Sequence, residues 1–340
     1  MIAMNHLSKV ACAVVSALLT LPASAADKPI VGFITKSNDN PFFVKMLEGA
    51  NAAAAQEGVE LRNLQAYSAE AQDAAIETLV SAGAKGILIV PGDTKAIVPA
   101  VKKAREDGVL VIAIDHPVSP ADAADGTIGT NNFQAGEIIG AWARKTLGAA
   151  AAKAKIAMLD DDATQATVDV QRDHGFLKGF GIAYGNPNIN GSENDPRIVG
   201  HALTKGNEEG GRTAMETLLQ KDPDINVVYT INEPAAAGAY QALKAAGKGD
   251  GSVLVVSVDG GCPGVKNVGA GVIGATAMQF PLLMASKGVH AVAEYLKTGK
   301  KPEPSPGLNF TNTGVELVTN KPAEGLASID AQEAQKKCWG

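Results

Sequence analysis

Planar polar side chains recur along this chain just after short apolar runs: Asn40, Asp115 and His116, Asp160 to Asp162, Asn232 and Glu233, Asp259, and Gln279. Carboxylate and amide side chains each present two hydrogen-bonding atoms, so a convergent set of them can grip the hydroxyls of a small neutral polyol. Phe42 and Phe43 stand together beside Asn40 in a chain that is only 4% aromatic. A ring face suits the C–H side of a pyranose or furanose; the alternative is that both rings are helix core. Asn40-Pro41 reads as a cap followed by the first helical residue, which sets the pair at an edge of the fold. The pair is read as mixed, with at least one ring facing a ligand. Catalysis finds less support. No Ser-His-Asp order or His/Cys metal spacing occurs, and the 5 histidines are scattered. The expectation is a protein that is not an enzyme and has no catalytic residues, no metal and no cofactor.

The elements that must position these side chains follow from the apolar pattern. Residues 30–34, 59–64, 86–90 and 109–114 read as strands, with helices at 41–57, 69–82 and 94–107 between them. The pattern then restarts, with strands at 155–159, 198–202, 227–230, 253–258 and 273–277. Helices fit at 168–182, 207–220, 233–246 and 262–269, and a last one at 281–297. Strand-helix repetition at this spacing predicts parallel sheets covered on both faces, and continuous apolar strands agree. The fold class is therefore α/β, with two doubly wound parallel-sheet lobes and a cleft between them. In such sheets ligands sit outside the carboxyl ends of the strands, where the polar residues cluster. Residues 129–132 read as the first passage between lobes. The expected division is 26–130 with 280–312 in one lobe and 131–279 with 313–340 in the other.

Bulk properties narrow the class. The run from Val10 to Leu21 followed by Ala23-Ser24-Ala25 has the layout of a secretory signal peptide over residues 1–25. That apolar run is too short for a bilayer, which needs about 20 residues. The mature protein is expected free in the periplasm. The chain carries 30 basic and 36 acidic residues; without Lys9 the balance is 29 against 36, a net charge of −7. With no basic cluster, nucleic acid is excluded as a partner. Export leaves Cys262 and Cys338, and an oxidising compartment favours a disulfide between them over two buried thiols.

In order along the chain, Thr35 to Phe43, Ala113-Ile114-Asp115, Arg172 to Phe176, Asn232-Glu233, Ser257 to Gly261 and Gln279 resemble the ribose-type periplasmic sugar-binding proteins of ABC importers. The resemblance spans essentially the whole mature chain. Ile231 to Ala236, Ser257 to Cys262 and the terminal Cys338-Trp339-Gly340 look most like the fructose-binding branch. It implies the type I periplasmic binding protein fold, with a three-segment hinge. It also implies a ligand set of Asn40, Phe42, Phe43 and Asp115 from one lobe, with Arg172, Asn232, Asp259 and Gln279 from the other. Two departures stand out. His116 replaces an arginine of the ribose-type pattern, and Gly206 replaces an aromatic, so ribose itself is not carried across and His116 joins the candidates.

The implied function is capture of a monosaccharide, fructose favoured, by cleft closure and delivery to ABC permease membrane subunits by a monomer. Delivery to a chemoreceptor is compatible with this, and a periplasmic sugar-processing enzyme is the more distant alternative. A sugar-responsive repressor would need a helix-turn-helix and a basic surface in place of the signal peptide. Gly269 to Gly274 spells GxGxxG but lies between helix and strand, the reverse of a dinucleotide fingerprint. Asp222, Asp224, Asn226 and Glu233 have EF-hand spacing, but Val227 stands where the loop requires glycine. Asp160 to Asp162 reads as a solvated loop at the cleft mouth.

Overall fold

The computed structural model describes residue 1, residues 27–37 and residues 40–340; the expected signal peptide, Met1 apart, lies outside the described residues. Two six-stranded sheets organise the chain. The first contains β1 (Ile30–Thr35), β2 (Glu60–Gln65), β3 (Gly86–Ile89), β4 (Leu110–Ile114), β5 (Gly126–Gly129) and β11 (Thr311–Asn312), in the order β11-β5-β4-β3-β1-β2. The second contains β6 (Ile156–Asp160), β7 (Ile198–Leu203), β8 (Val227–Thr230), β9 (Leu254–Asp259), β10 (Ala275–Met278) and β12 (Glu316–Val318), in the order β12-β10-β9-β8-β6-β7. Every pairing is parallel except β10 with β12.

The inner strands β1, β3, β4, β6, β8, β9 and β10 are buried on both faces, as mainly apolar strands require, whereas the edge strands β2 and β7 stay partly exposed. In β4, Leu110, Ile112 and Ile114 face a core shared with α1 (Pro41–Glu57) and α9 (Pro281–Thr298), while Val111 and Ala113 face α2 (Ala69–Ser81) and α3 (Val98–Glu106). The second sheet packs α4 (Asn132–Leu147) and α5 (Thr167–Phe180) on one face. Its other face takes α6 (Glu208–Lys221), α7 (Glu233–Ala245), α8 (Cys262–Gly269) and α10 (Ala331–Ala334). The chain passes between sheets three times: between β5 and α4, between β10 and α9, and between β11 and β12.

Some boundaries differ from the sequence reading. The helix expected from residue 94 begins at Val98, because Pro99 fits only in a first turn. Asp93 holds the preceding turn by accepting from the backbone N–H of Lys95 and Ala96 at 2.9 Å each. β5, β11 and β12 were not anticipated; they are two to four residues long and carry no long apolar run. The expected helix 168–182 ends at Phe180, where Gly181 turns left-handed with φ 86°.

Two features fix elements that carry site residues. α4 and α5 meet through glycines: a Cβ on Gly136 or Gly140 would strike the carbonyl oxygens of Arg172 or Phe176, and one on Gly175 or Gly179 those of Phe133 or Glu137. This close approach sets the height of Arg172. Cys262, at the start of α8, forms a disulfide with Cys338. The tail beside it runs back as a bridge from Trp339 to Gly261. Among the described residues, no helix is long and apolar enough to cross a membrane.

Candidate ligand-binding site

A cavity of about 540 Å³ opens between the carboxyl ends of the two sheets, within the size range of small-molecule sites. All nine expected residues line it: Asn40, Phe42, Phe43, Asp115, His116, Arg172, Asn232, Asp259 and Gln279.

Asp115 follows β4 with φ 65°, a left-handed conformation that a non-glycine residue adopts only when its surroundings enforce it. Its N–H donates to Ile128 O at 2.9 Å, tying the turn to β5. One carboxylate oxygen, Oδ2, lies 2.8 Å from His116 Nδ1, and His116 Nε2 lies 3.1 Å from Lys36 Nζ. Burial and the neighbouring Lys36 ammonium hold the His116 pKa below its ordinary value, outweighing Asp115. A neutral ring that donates from Nδ1 to Asp115 and accepts from Lys36 at Nε2 satisfies both contacts. Burial pushes the Asp115 pKa up, but His116, Arg172 and Lys36 outweigh it and keep the group below its usual value, ionised. Among the described residues, Asp115 Oδ1 is buried with no hydrogen-bond partner.

On the facing sheet, Arg172 donates from Nε to Asn132 Oδ1 at 2.8 Å and from Nη1 to Ile231 O at 2.9 Å, and lies 4.0 Å from Asp259. Asp259 ends β9 with φ 145°, a second strained backbone at the cavity wall. Its Oδ1 accepts from Gln279 Nε2 at 3.0 Å, which leaves Gln279 Oε1 buried and unpartnered. Burial raises the Asp259 pKa to about 7, against the opposing pull of Arg172. Glu233 is raised to about 8 by burial and then by Asp259. Its carboxylate nevertheless accepts from Gly260 N–H, Gly261 N–H and Thr276 Oγ1, which shapes the turn carrying Asp259.

Asn40 and Asn232 are N-caps. Asn40 Oδ1 accepts from Phe42 N–H at 2.9 Å, and Asn232 Oδ1 from Ala235 N–H at 3.0 Å, while Asn232 Nδ2 donates to Gly206 O. Phe42 is 5% exposed and belongs to the core behind α1, whereas Phe43 is half-buried on the wall. The two rings meet edge to face at 5.4 Å.

Several wall residues were missed, among them Lys36, Glu233, Trp339 and Tyr67. Lys36 follows β1 directly, so the rule that pointed to strand ends applies to it too. Glu233 stood among the polar strand-end residues without being assigned to the site. Trp339 packs on Phe42 at 5.2 Å and donates from Nε1 to Gln279 O at 2.9 Å. Its signal was one of only two tryptophans beside a candidate disulfide cysteine. Tyr67, from the loop after β2, donates to Asp162 Oδ2 at 3.2 Å across the cleft. Gly206 lies on the wall with φ 61°, where a Cβ would come within 3.0 Å of Asp161 Oδ1. The solvated-loop reading of Asp160 to Asp162 is corrected for its first residue: Asp160 is 2% exposed and pairs with His201 at 2.7 Å.

Comparison with known proteins gives one consistent picture. The family described as periplasmic binding protein domain matches residues 31–301. The ribose import binding protein of Escherichia coli is 30% identical over 282 residues, covering 83% of this chain and 89% of that protein. A D-apiose import binding protein of Paraburkholderia graminis is 29% identical over 292 residues, covering 86% and 88%. These relatives are solute-binding proteins, not enzymes. Among solved structures, a galactofuranose binding protein superposes with a TM-score of 0.76 at 23% identity over 91% of this chain and 98% of its own. A solute binding protein from Actinobacillus succinogenes with bound D-allose gives 0.72 at 23% over 91% and 100%. At such identities the two structures speak for the fold alone.

Proposed function

This chain belongs to the periplasmic binding protein domain family, and from that premise we propose that it captures a monosaccharide between its lobes and delivers it to the membrane subunits of an ABC importer. The carrying observation is a pair of buried acceptors, Asp115 Oδ1 and Gln279 Oε1, set on opposite sheets, lining one cavity and lacking a donor among the described residues. Stranded acceptors of this kind cost about 1–3 kcal/mol each unless a donor reaches them. Ligand hydroxyls are such donors, and a ring with several of them would satisfy both at once. Arg172 supplies charged donors beside Asp259, and Phe43 offers a face for the C–H side.

Residues 26–130 with 280–312, and 131–279 with 313–340, are proposed as the bodies that close, in the manner general to periplasmic binding proteins. Asn40, Phe43, Asp115 and His116 grip from one side; Arg172, Asn232, Asp259 and Gln279 grip from the other. Phe42 supports Phe43 from behind. Fructose is the favoured sugar. His116 and Gly206, in place of an arginine and an aromatic, argue against the ribose grip. The chain acts as an exported monomer.

A thermal-shift panel of fructose, ribose, mannose, allose and myo-inositol on ligand-stripped protein tests this reading. A ligand at a thousand times its dissociation constant adds about 4 kcal/mol to stability. The expected result is a large rise for fructose. Absence of a rise with every sugar and polyol would overturn the substrate class.

A further inference from the structure

Away from the cavity, a second polar cluster lies between α5 and the β6–β7 edge of the second sheet. Asp160 ends β6, Asp169 and Asp173 lie on α5, His201 lies on β7, and Asn190 and Glu193 come from the loop between α5 and β7. Asp160, Asp173 and His201 each offer one ligand atom, and these atoms lie within 4.8 Å of one another. Acidic clusters alone mean little, but this one is buried and starved of donors. Asp173 is 0% exposed, and among the described residues neither of its carboxylate oxygens has a hydrogen-bond partner. Asp160 Oδ1, Glu193 Oε2 and Asn190 Oδ1 are likewise buried and unpartnered.

Burial, then the neighbouring Asp160, pushes the Asp173 pKa well above the usual carboxylate range, so a proton held there is what a metal ion would displace. His201 spans Asp160 Oδ2 and Glu193 Oε1 at 2.7 Å each, so even a fully protonated ring serves those two oxygens and leaves the other five atoms as they are. Among the described residues no lysine or arginine pairs with Asp160, Asp169, Asp173 or Glu193. Three acids, Asp160, Asp173 and Glu193, therefore share one imidazole, while Asp169 accepts from Asp161 N–H and Asn190 Nδ2.

We propose that Asp160, Asp173 and His201 hold a structural divalent transition-metal ion of the zinc or manganese class. Carboxylates with an imidazole suit these ions, whereas calcium and magnesium favour oxygen-only shells. Glu193, 2.7 Å from His201 Nε2, would orient the imidazole once Nδ1 holds the ion. The ion would pin the end of β6, which leads into Asp161 on the cavity wall, to the turn of α5 that carries Arg172. The site is independent of the sugar reading.

The test is metal content. Chelator-treated protein is incubated with zinc chloride, manganese chloride or calcium chloride, desalted, and assayed by elemental analysis. One zinc or manganese per chain is expected, with retention lost in Asp173→Asn while circular dichroism stays that of the parent. His201→Gln, at a position whose side chain is 19% exposed, serves as a second variant should Asp173→Asn not fold. Cobalt(II) substitution of the parent, needing no variant, should give the visible bands of a mixed nitrogen and oxygen shell. No metal retained, calcium retained in place of zinc and manganese, zinc retention unchanged in both variants, or a cobalt spectrum without nitrogen ligation would each overturn the proposal.

Discussion

Asp115 and Asp259 end strands on opposite sheets, both in left-handed or strained backbone, and both facing the same cavity. Strain held at two such positions marks a site whose side-chain directions matter more than local comfort. Asp115→Asn keeps the shape but replaces one carboxylate oxygen by an NH₂ group, placing a donor where the ligand needs an acceptor. It should abolish the sugar-induced rise in melting temperature while the ligand-free melting point stays within a few degrees. Arg172→Ala should do the same, at some cost in stability because Asn132 and Ile231 lose their donor. Asp259 carries a pH signature. Its pKa is raised to about 7, so the folded state binds a proton that the unfolded chain has already lost. Stability is then full below the unfolded carboxylate range and falls as pH rises through about 7, by at most about 1.4 kcal/mol per pH unit for each such proton. Ligand-free Asp259→Asn should lose less stability than the parent between pH 5 and pH 8, read by chemical denaturation at each pH.

The helices that hold these residues were largely legible in the sequence, for reasons visible in particular elements. Pro41 to Glu57 carries its own cap, Asn40, and its own stop, the left-handed Gly58, so its expected and observed ends coincide. β4 is an unbroken apolar run and β9 is apolar apart from Ser257 up to its terminal Asp259, so the polar residues at their ends were found. Lys36 and Trp339 were not. A long flexible cation after a strand looks like ordinary surface, and Trp339 reaches the site only through a tail bound to α8 by a bridge of sequence separation 76. Asp173 was invisible for another reason: on a helix, an acid reads as solvent-facing until the partner face is known. Two predictions belong here. Gly140→Val should destabilise the α4–α5 pair by about 1–3 kcal/mol, as overpacking does, with a lower melting point and weaker sugar binding. Cys338→Ser should cost about 2–5 kcal/mol, as loss of a native disulfide does, and release Trp339 from Phe42, seen as a shift in tryptophan fluorescence.

At the scale of the whole molecule, two sheets with separate cores share one cavity and three chain crossings. Tyr67 and Asp162 meet across the cleft mouth, and their hydrogen bond sits partly in water. Its loss in Tyr67→Phe should weaken binding by about 1 kcal/mol, or roughly fivefold, in a calorimetric titration. The most direct measurement is a crystal structure with the sugar that most raises the melting point. The account predicts a single ring in the cavity, with hydroxyls donating to Asp115 Oδ1 and Gln279 Oε1 and its C–H side on Phe43. A sugar bound elsewhere, or one in the cavity that leaves both acceptors without a donor, would contradict it.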